Sequence, residues 1–175
     1  NDWTIGSTVN LRNQSGGVLN CKTHYLVATN ISNTGSTIQF AGASNGFSLN
    51  SGTIEYSGDA AQTIAPGTYN SLKVSDGGAK QTGGAVTVNE LLTLSNGVVT
   101  TDATNSLTMG TAATVAEPLT DLSFVAGPFI HTVASSDVEH KVFPVGSGSL
   151  LHRIDLDVQQ TNNTLTHYTC QYNLS

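Results

Sequence analysis

Short segments in which apolar and polar residues alternate recur along the chain. Thr37-Ile38-Gln39-Phe40, Thr53-Ile54-Glu55-Tyr56, Ser71-Leu72-Lys73-Val74, Val86-Thr87-Val88, Leu92-Thr93-Leu94 and Leu107-Thr108-Met109 each place apolar side chains at i and i+2 with a polar residue between. That is the period of a half-buried β-strand. Clusters such as Ser57-Gly58-Asp59, Ser75-Asp76-Gly77-Gly78, Gly83-Gly84 and Ser95-Asn96-Gly97 separate them. Such residues accept positive φ and make tight turns. No segment sustains a helical period, so the expectation is an all-β fold with almost no helix.

The steps between equivalent apolar positions narrow this. Ile38 to Ile54 is 16 residues, Ile54 to Leu72 is 18, Leu72 to Leu92 is 20, and Leu92 to Leu107 is 15. A drifting period of this size suggests one coil of a β-solenoid, with each strand stacked on the next about 4.8 Å further along. Apolar residues then form inward ladders, and each coil needs a neighbour to cover it. The alternative is a β-sandwich throughout, with hairpins every ~8–12 residues.

The pattern changes near Glu117-Pro118. Beyond it, Ser123-Phe124-Val125, Phe129 to Val133, His140 to Val145, Ile154 to Val158 and Thr164 to Tyr172 read as longer strands joined by hairpins. The organisation expected is a β-solenoid repeat region over 1–117 and an antiparallel capping or sandwich-like region over 118–175. A strong strand pattern close to Ser175 suggests that the chain is truncated there, or that its last strand pairs with another subunit. Asn1 in place of Met suggests a processed chain or a fragment.

Composition supports a folded β protein of low charge. Of 175 residues, 38% are hydrophobic and 10% charged, well under the roughly 25% of an ordinary domain. The net charge is −6, and the 6 Lys and Arg residues are scattered. No basic stripe tracks a phosphate backbone, which argues against nucleic acid as a partner. No apolar run approaches the ~20 residues of a membrane-spanning helix. The surface, rich in Thr, Asn and Ser, leans extracellular. Asn-x-Ser/Thr triplets at Asn13, Asn30 and Asn162 are common by chance and add nothing.

Cys21 and Cys170 lie near opposite ends, outside any CxxC or Cys/His pattern. About six coils at about 4.8 Å would span roughly 30 Å, whereas a bridge needs Cα atoms within about 7 Å. Three readings stay open. The thiols are free and buried; or the terminal strands fold back and pair them; or Cys170 of one subunit bridges Cys21 of the next, head to tail. The third would build an open filament, and strand pairing near Tyr168 and Tyr172 would support it.

Candidate chemistry is sparse. Asp155 and Asp157 share one face of a strand, about 7 Å apart, compatible in distance with a carboxylate pair of an inverting glycosidase. A solvated strand face explains them as well. His131, His140 and His152 would form a metal site if their strands converged, yet no HExxH or HxH spacing occurs. Gly146-Ser147-Gly148-Ser149 follows a strand but precedes another strand, so it is no nucleophile elbow. No cofactor is implied. Outward Thr rows on a solenoid can bind ice or crystalline polysaccharide, but Gln39, Glu55 and Lys73 interrupt them. Glycan binding would need an aromatic platform, drawn from Trp3, Tyr25, Tyr56, Tyr69, Tyr168 or Tyr172, with Tyr56 expected to point inward.

Two stretches carry a family resemblance. The first is Gly52-Thr-Ile-Glu-Tyr-Ser-Gly58 with Ala61-Gln-Thr-Ile64, Gly67-Thr-Tyr-Asn-Ser-Leu72 and Val86-Thr-Val-Asn89. The second is Phe124-Val-Ala-Gly-Pro128 with Thr132-Val133 and Val142-Phe-Pro-Val-Gly146. In this order they resemble repetitive surface and secreted proteins of Bacteroidetes, usually exported by type IX secretion. The resemblance implies a cell-surface or extracellular location and carries no catalytic motif. The reading is therefore a non-enzymatic structural or adhesive module whose partners are copies of itself, other surface proteins or glycans. The alternatives are a glycan-binding module and a β-helical polysaccharide-degrading enzyme.

Overall fold

The computed structural model describes residues 3–12, 16–22, 26–32, 37–41, 52–134 and 136–173. Its regular elements are all strands. In chain order they are β1 (Trp3–Arg12), β2 (Val18–Asn20), β3 (Leu26–Ser32), β4 (Thr37–Phe40), β5 (Thr53–Tyr56), β6 (Gln62–Ile64) and β7 (Gly67–Val74). Then come β8 (Lys80–Thr82), β9 (Val86–Leu94), β10 (Val99–Thr100), β11 (Leu107–Met109), β12 (Thr114–Val115), β13 (Val125–Ala126) and β14 (Phe129–Val133). The last five are β15 (Glu139–Phe143), β16 (Gly146–Ser147), β17 (Leu150–Leu151), β18 (Ile154–Val158) and β19 (Thr166–Cys170).

Parallel stacking of these strands makes a β-solenoid with three sides. On the first side, β2, β4, β5, the second half of β7, the second half of β9 and β12 lie in order. The second side is β6, β8, β10 and β13. The third is the first half of β7, the first half of β9, β11 and β14. β1 and β3 pair parallel as a separate two-stranded sheet. The coil lengthens along the stack: Thr53 lies on Ser71, Ser71 on Leu91 and Leu91 on Thr114, steps of 18, 20 and 23 residues.

The alternation in sequence becomes ladders in the interior. Ile38, Ile54, Leu72 and Leu92 form one, and Phe40, Tyr56, Val74 and Leu94 form the next, all 0–4% exposed. The third side adds Tyr69, Val88, Met109 and His131. Each such apolar side chain contributes about 1.5–3 kcal/mol when taken from water, and it does so only because the neighbouring coils cover it.

The steps from Ile38 to Ile54, Leu72 and Leu92 are real neighbours in the stack. The step from Leu92 to Leu107 is not. Leu107 lies on Val86 on the third side, and Leu92 lies on Val115. Fifteen residues carry the chain from one side to another, short of a full turn. The sandwich alternative is not the fold. Past Pro118, the strands expected as hairpins divide into two kinds. β13 and β14 add parallel rungs on β10 and β11, so the solenoid runs on to Val133. Antiparallel pairing begins after it: β15 with β18, β16 with β17, and β19 with β14.

Polar residues shape the corners. Lys80 is fully buried, and its Nζ donates to the carbonyl of Gly58 at 2.6 Å and to that of Gly77. Burial holds its pKa below the ordinary lysine value, against the pull of Asp76 and Asp59. Gln62, one rung below, accepts from the Gly58 N–H at 2.6 Å and donates to the Phe40 carbonyl at 3.0 Å. Gly97, at φ 113°, passes so close to the previous corner that a Cβ would lie 2.9 Å from the Gly77 carbonyl oxygen. No L side chain fits there.

Tyr56 and Tyr69 clamp the corner at Ala65. The Tyr69 hydroxyl donates to the Ala65 carbonyl at 2.6 Å, so in the 3.0 Å contact between the two hydroxyls Tyr56 is the donor. Tyr56 in turn accepts from the Ala65 N–H at 2.9 Å. Tyr69→Phe removes the acceptor of one bond and the donor of another inside a sealed core. Urea unfolding of this variant is expected to show a loss of about 1–3 kcal/mol with unchanged β-sheet circular dichroism; wild-type stability would contradict the clamp.

Candidate functional site

The β15–β18 hairpin packs beside the end of the solenoid and leaves a cleft of about 510 Å³ against the segment after β11. Ala112, Ala113 and Val115 give it an apolar wall, while Glu117, Lys141 and Arg153 bring charge to it. Strand alternation decides which β15 residues face which way. Lys141 and Phe143 turn toward the solenoid and are buried, whereas His140 faces outward across β18. The Lys141 ammonium pairs with Glu139 Oε2 at 2.6 Å and donates to the Thr111 carbonyl at 3.1 Å.

On the outward face, His140 stands between the two aspartates. Its Nδ1 is 2.8 Å from Asp157 Oδ1 and its Nε2 is 3.2 Å from Asp155 Oδ1. The hydrogen bond to Asp157 raises its pKa. Arg153 donates to both oxygens of Asp155 and meets Glu117 Oε1 at 2.6 Å. That bidentate contact pushes the Asp155 carboxyl below the usual aspartate range. Asp155 and Asp157 thus sit in an exposed lattice of ion pairs. A general acid would need a carboxyl pushed up, and Asp155 is pushed down.

His131 is the buried member of the group. It is 1% exposed and lines the cleft from β14, with its ring set edge-on to Phe143 at 4.9 Å and Phe129 at 5.3 Å. Its Nε2 lies 2.8 Å from the Val142 carbonyl and therefore carries the proton, leaving a buried Nδ1 lone pair without a partner. Burial lowers its pKa to about 4; nearby Lys141 acts in the same sense, while the Val142 carbonyl and Glu139 oppose it. Its inward place was legible from Phe129-His131-Val133, a strand alternation in which it holds an apolar position.

The three histidines weighed as a metal site do not converge. His131 is buried beside Phe129 and Phe143 at the back of the cleft, His140 bridges aspartates, and His152 stacks on Tyr172 at 3.7 Å. Among the described residues, no group of three or more His, Cys, Asp or Glu side chains is placed to hold a metal ion. His24 and Tyr25 lie outside the described residues. Tyr56 and Tyr69 are both interior, so neither offers an exposed platform. Gln39, Glu55 and Lys73 stack as one outward column, with Lys73 and Glu55 paired at 2.9 Å.

Cys21 and Cys170 stand at opposite ends of the largest sheet, on the levels of β2 and β19. Seven strand steps of about 4.8 Å separate those levels, so one copy does not bridge them. Both thiols are free. Cys21 is 1% exposed, and burial pushes its pKa up to about 11; Cys170 is half-buried and also raised. Tyr168 lies opposite His131 on β19, and both Tyr168 and Tyr172 pack against the core.

The geometry defines a β-solenoid closed at one end by an antiparallel strand and flanked by a charged hairpin. In comparisons with known proteins, no family model, no curated protein and no solved structure matches the chain. No helix among the described residues is long and apolar enough to cross a membrane.

The His131 environment sets a pH dependence. Unfolded, the ring titrates near ~6.5; folded, it titrates at about 4. Between these values the unfolded chain binds more protons, so stability falls as pH drops from about 6.5 to about 4, by about 3 kcal/mol in all. His140, with its pKa raised, works in the opposite sense and loses its contribution as pH rises. Unfolding curves across this range are expected to be flatter for His131→Gln than for the wild type. Identical slopes would contradict the assignment.

Proposed function

We propose that the chain is an extracellular structural or adhesive module of a bacterial surface or secreted protein, of the repetitive Bacteroidetes kind that its motifs resemble. The observation that carries this reading is the continuous parallel stack from β2 to β14, a rigid rod that presents short-period rows of polar side chains and ends in strand edges. Rows of this sort, such as Asn20 bonded to Gln39 at 2.7 Å, order a surface. A rod of this construction joins or displays, and its partners are copies of itself, other surface proteins or glycans.

Glycan binding is the second reading, and the cleft beside β15 favours it by its size and its paired donors and acceptors. Among the described residues no Tyr or Trp lines that cleft, so a bound sugar would rest on Ala113 and Val115 instead of an aromatic ring. Antibody raised against residues 52–173 is expected to label intact cells of the source organism or their culture supernatant. Labelling that appears only after lysis would overturn the extracellular assignment. A glycan array on the purified module separates the two readings: a specific hit abolished by Arg153→Ala would favour the sugar site.

A further inference from the structure

The last rung of the solenoid is covered by a strand that is itself only half covered. β14 buries its inward residues Phe129, His131 and Val133 at 0–1% exposure. β19 lies on it antiparallel, yet its inward residues Thr166, Tyr168 and Cys170 are only half-buried. Among the described residues β14 is the one strand paired with β19, so the other edge of β19 presents unpaired backbone groups. Natural edges of this kind are blunted by Lys, Pro or a bulge. Thr166-His167-Tyr168-Thr169-Cys170 contains no Lys, Pro or Gly and pairs with β14 in unbroken register. Leu165, 58% exposed, immediately precedes it.

We infer that β19 pairs with β19 of a second copy about a two-fold axis centred on Tyr168, making a closed tail-to-tail dimer. This rests on the reading of the chain as a structural module that assembles through its ends, and it names the edge and the register. Two-fold pairing uses one surface on both copies and is necessarily antiparallel. The pleat fixes where the axis falls. An axis between two residues would set inward positions opposite outward ones; an axis on a residue keeps the two sets apart. Of the residues in β19, Tyr168 gives the full five-residue overlap.

That register sets Tyr168 against its own copy, Thr166 against Cys170, and His167 against Thr169. The two half-exposed Tyr168 side chains cover each other, and no formal charge meets a like charge. It leaves Cys170 facing a threonine, so the dimer carries no disulfide and survives reductant. It also uses up the free edge, which ends growth at two copies instead of building a filament from this end.

Sedimentation of the wild-type chain over a range of concentrations tests this, beside two double variants at the outward positions. Dimerisation that strengthens with concentration and is unchanged by reductant is expected of the wild type. His167→Lys with Thr169→Lys places like charges opposite each other and is expected to be monomeric. His167→Lys with Thr169→Glu places opposite charges together in the same register and is expected to dimerise, with affinity that falls as salt is added. A monomeric wild type, or two variants that behave alike while both remain folded by circular dichroism, would overturn the dimer. A monomeric result leaves the surface role to be judged separately by labelling of intact cells.

Discussion

Coverage of one coil by the next is the constraint on which the rest of this molecule depends. A single coil is too thin to have an inside. Its two or three inward side chains on each face leave water only when the coils above and below supply the same positions. Ile54 is buried because Ile38 and Leu72 flank it, and Leu72 because Ile54 and Leu92 do. The corners must then superpose as well as the strands. Hence the buried Lys80 and Gln62, which tie corner carbonyls and N–H groups of successive coils, and the glycine at position 97, where the backbone passes too close for a side chain.

The same constraint explains why the two ends differ from the middle. At the far end the parallel stack stops with β14, and an antiparallel strand replaces the next coil. Beside it the β15–β18 hairpin contributes Phe143 to the core, where it meets Phe129 and His131. Charge is concentrated here because charged side chains tie the hairpin to the preceding segment, Arg153 to Glu117 and the Lys141 ammonium to the Thr111 carbonyl, in a protein that otherwise carries little charge. The cleft is the gap left between these two devices.

Strand positions and the first three steps along one side could be read directly from the alternation. The three-sided cross-section could not. In β7 and β9 the chain turns from the third side to the first with no Pro and no Gly at the bend, so Val86-Thr87-Val88 and Leu92-Thr93-Leu94 look like one continuing pattern. Leu107 therefore continues the sequence pattern of Leu92, although it stacks on Val86. Ser123-Phe124-Val125 marks β13, but its two residues, Val125 and Ala126, are too few to show that the strand stacks in parallel on β10. In the sequence Lys80 is one of six scattered basic residues; only its stacking on Gln62 reveals it as an inward position. The pairing of His140 with Asp155 and Asp157 needed the antiparallel register of β15 on β18, which hairpin length alone does not specify.

If coverage by neighbours is what stabilises each rung, protection should follow position in the stack. Native-state amide hydrogen exchange measures this rung by rung. Slowest exchange is expected in Ser71–Val74, Val86–Val88 and Leu91–Leu92, which have strands on both sides, with faster exchange in β19 at the edge of the sheet. Equal protection in β19 and in β7 and β9, measured on dilute protein, would contradict the account.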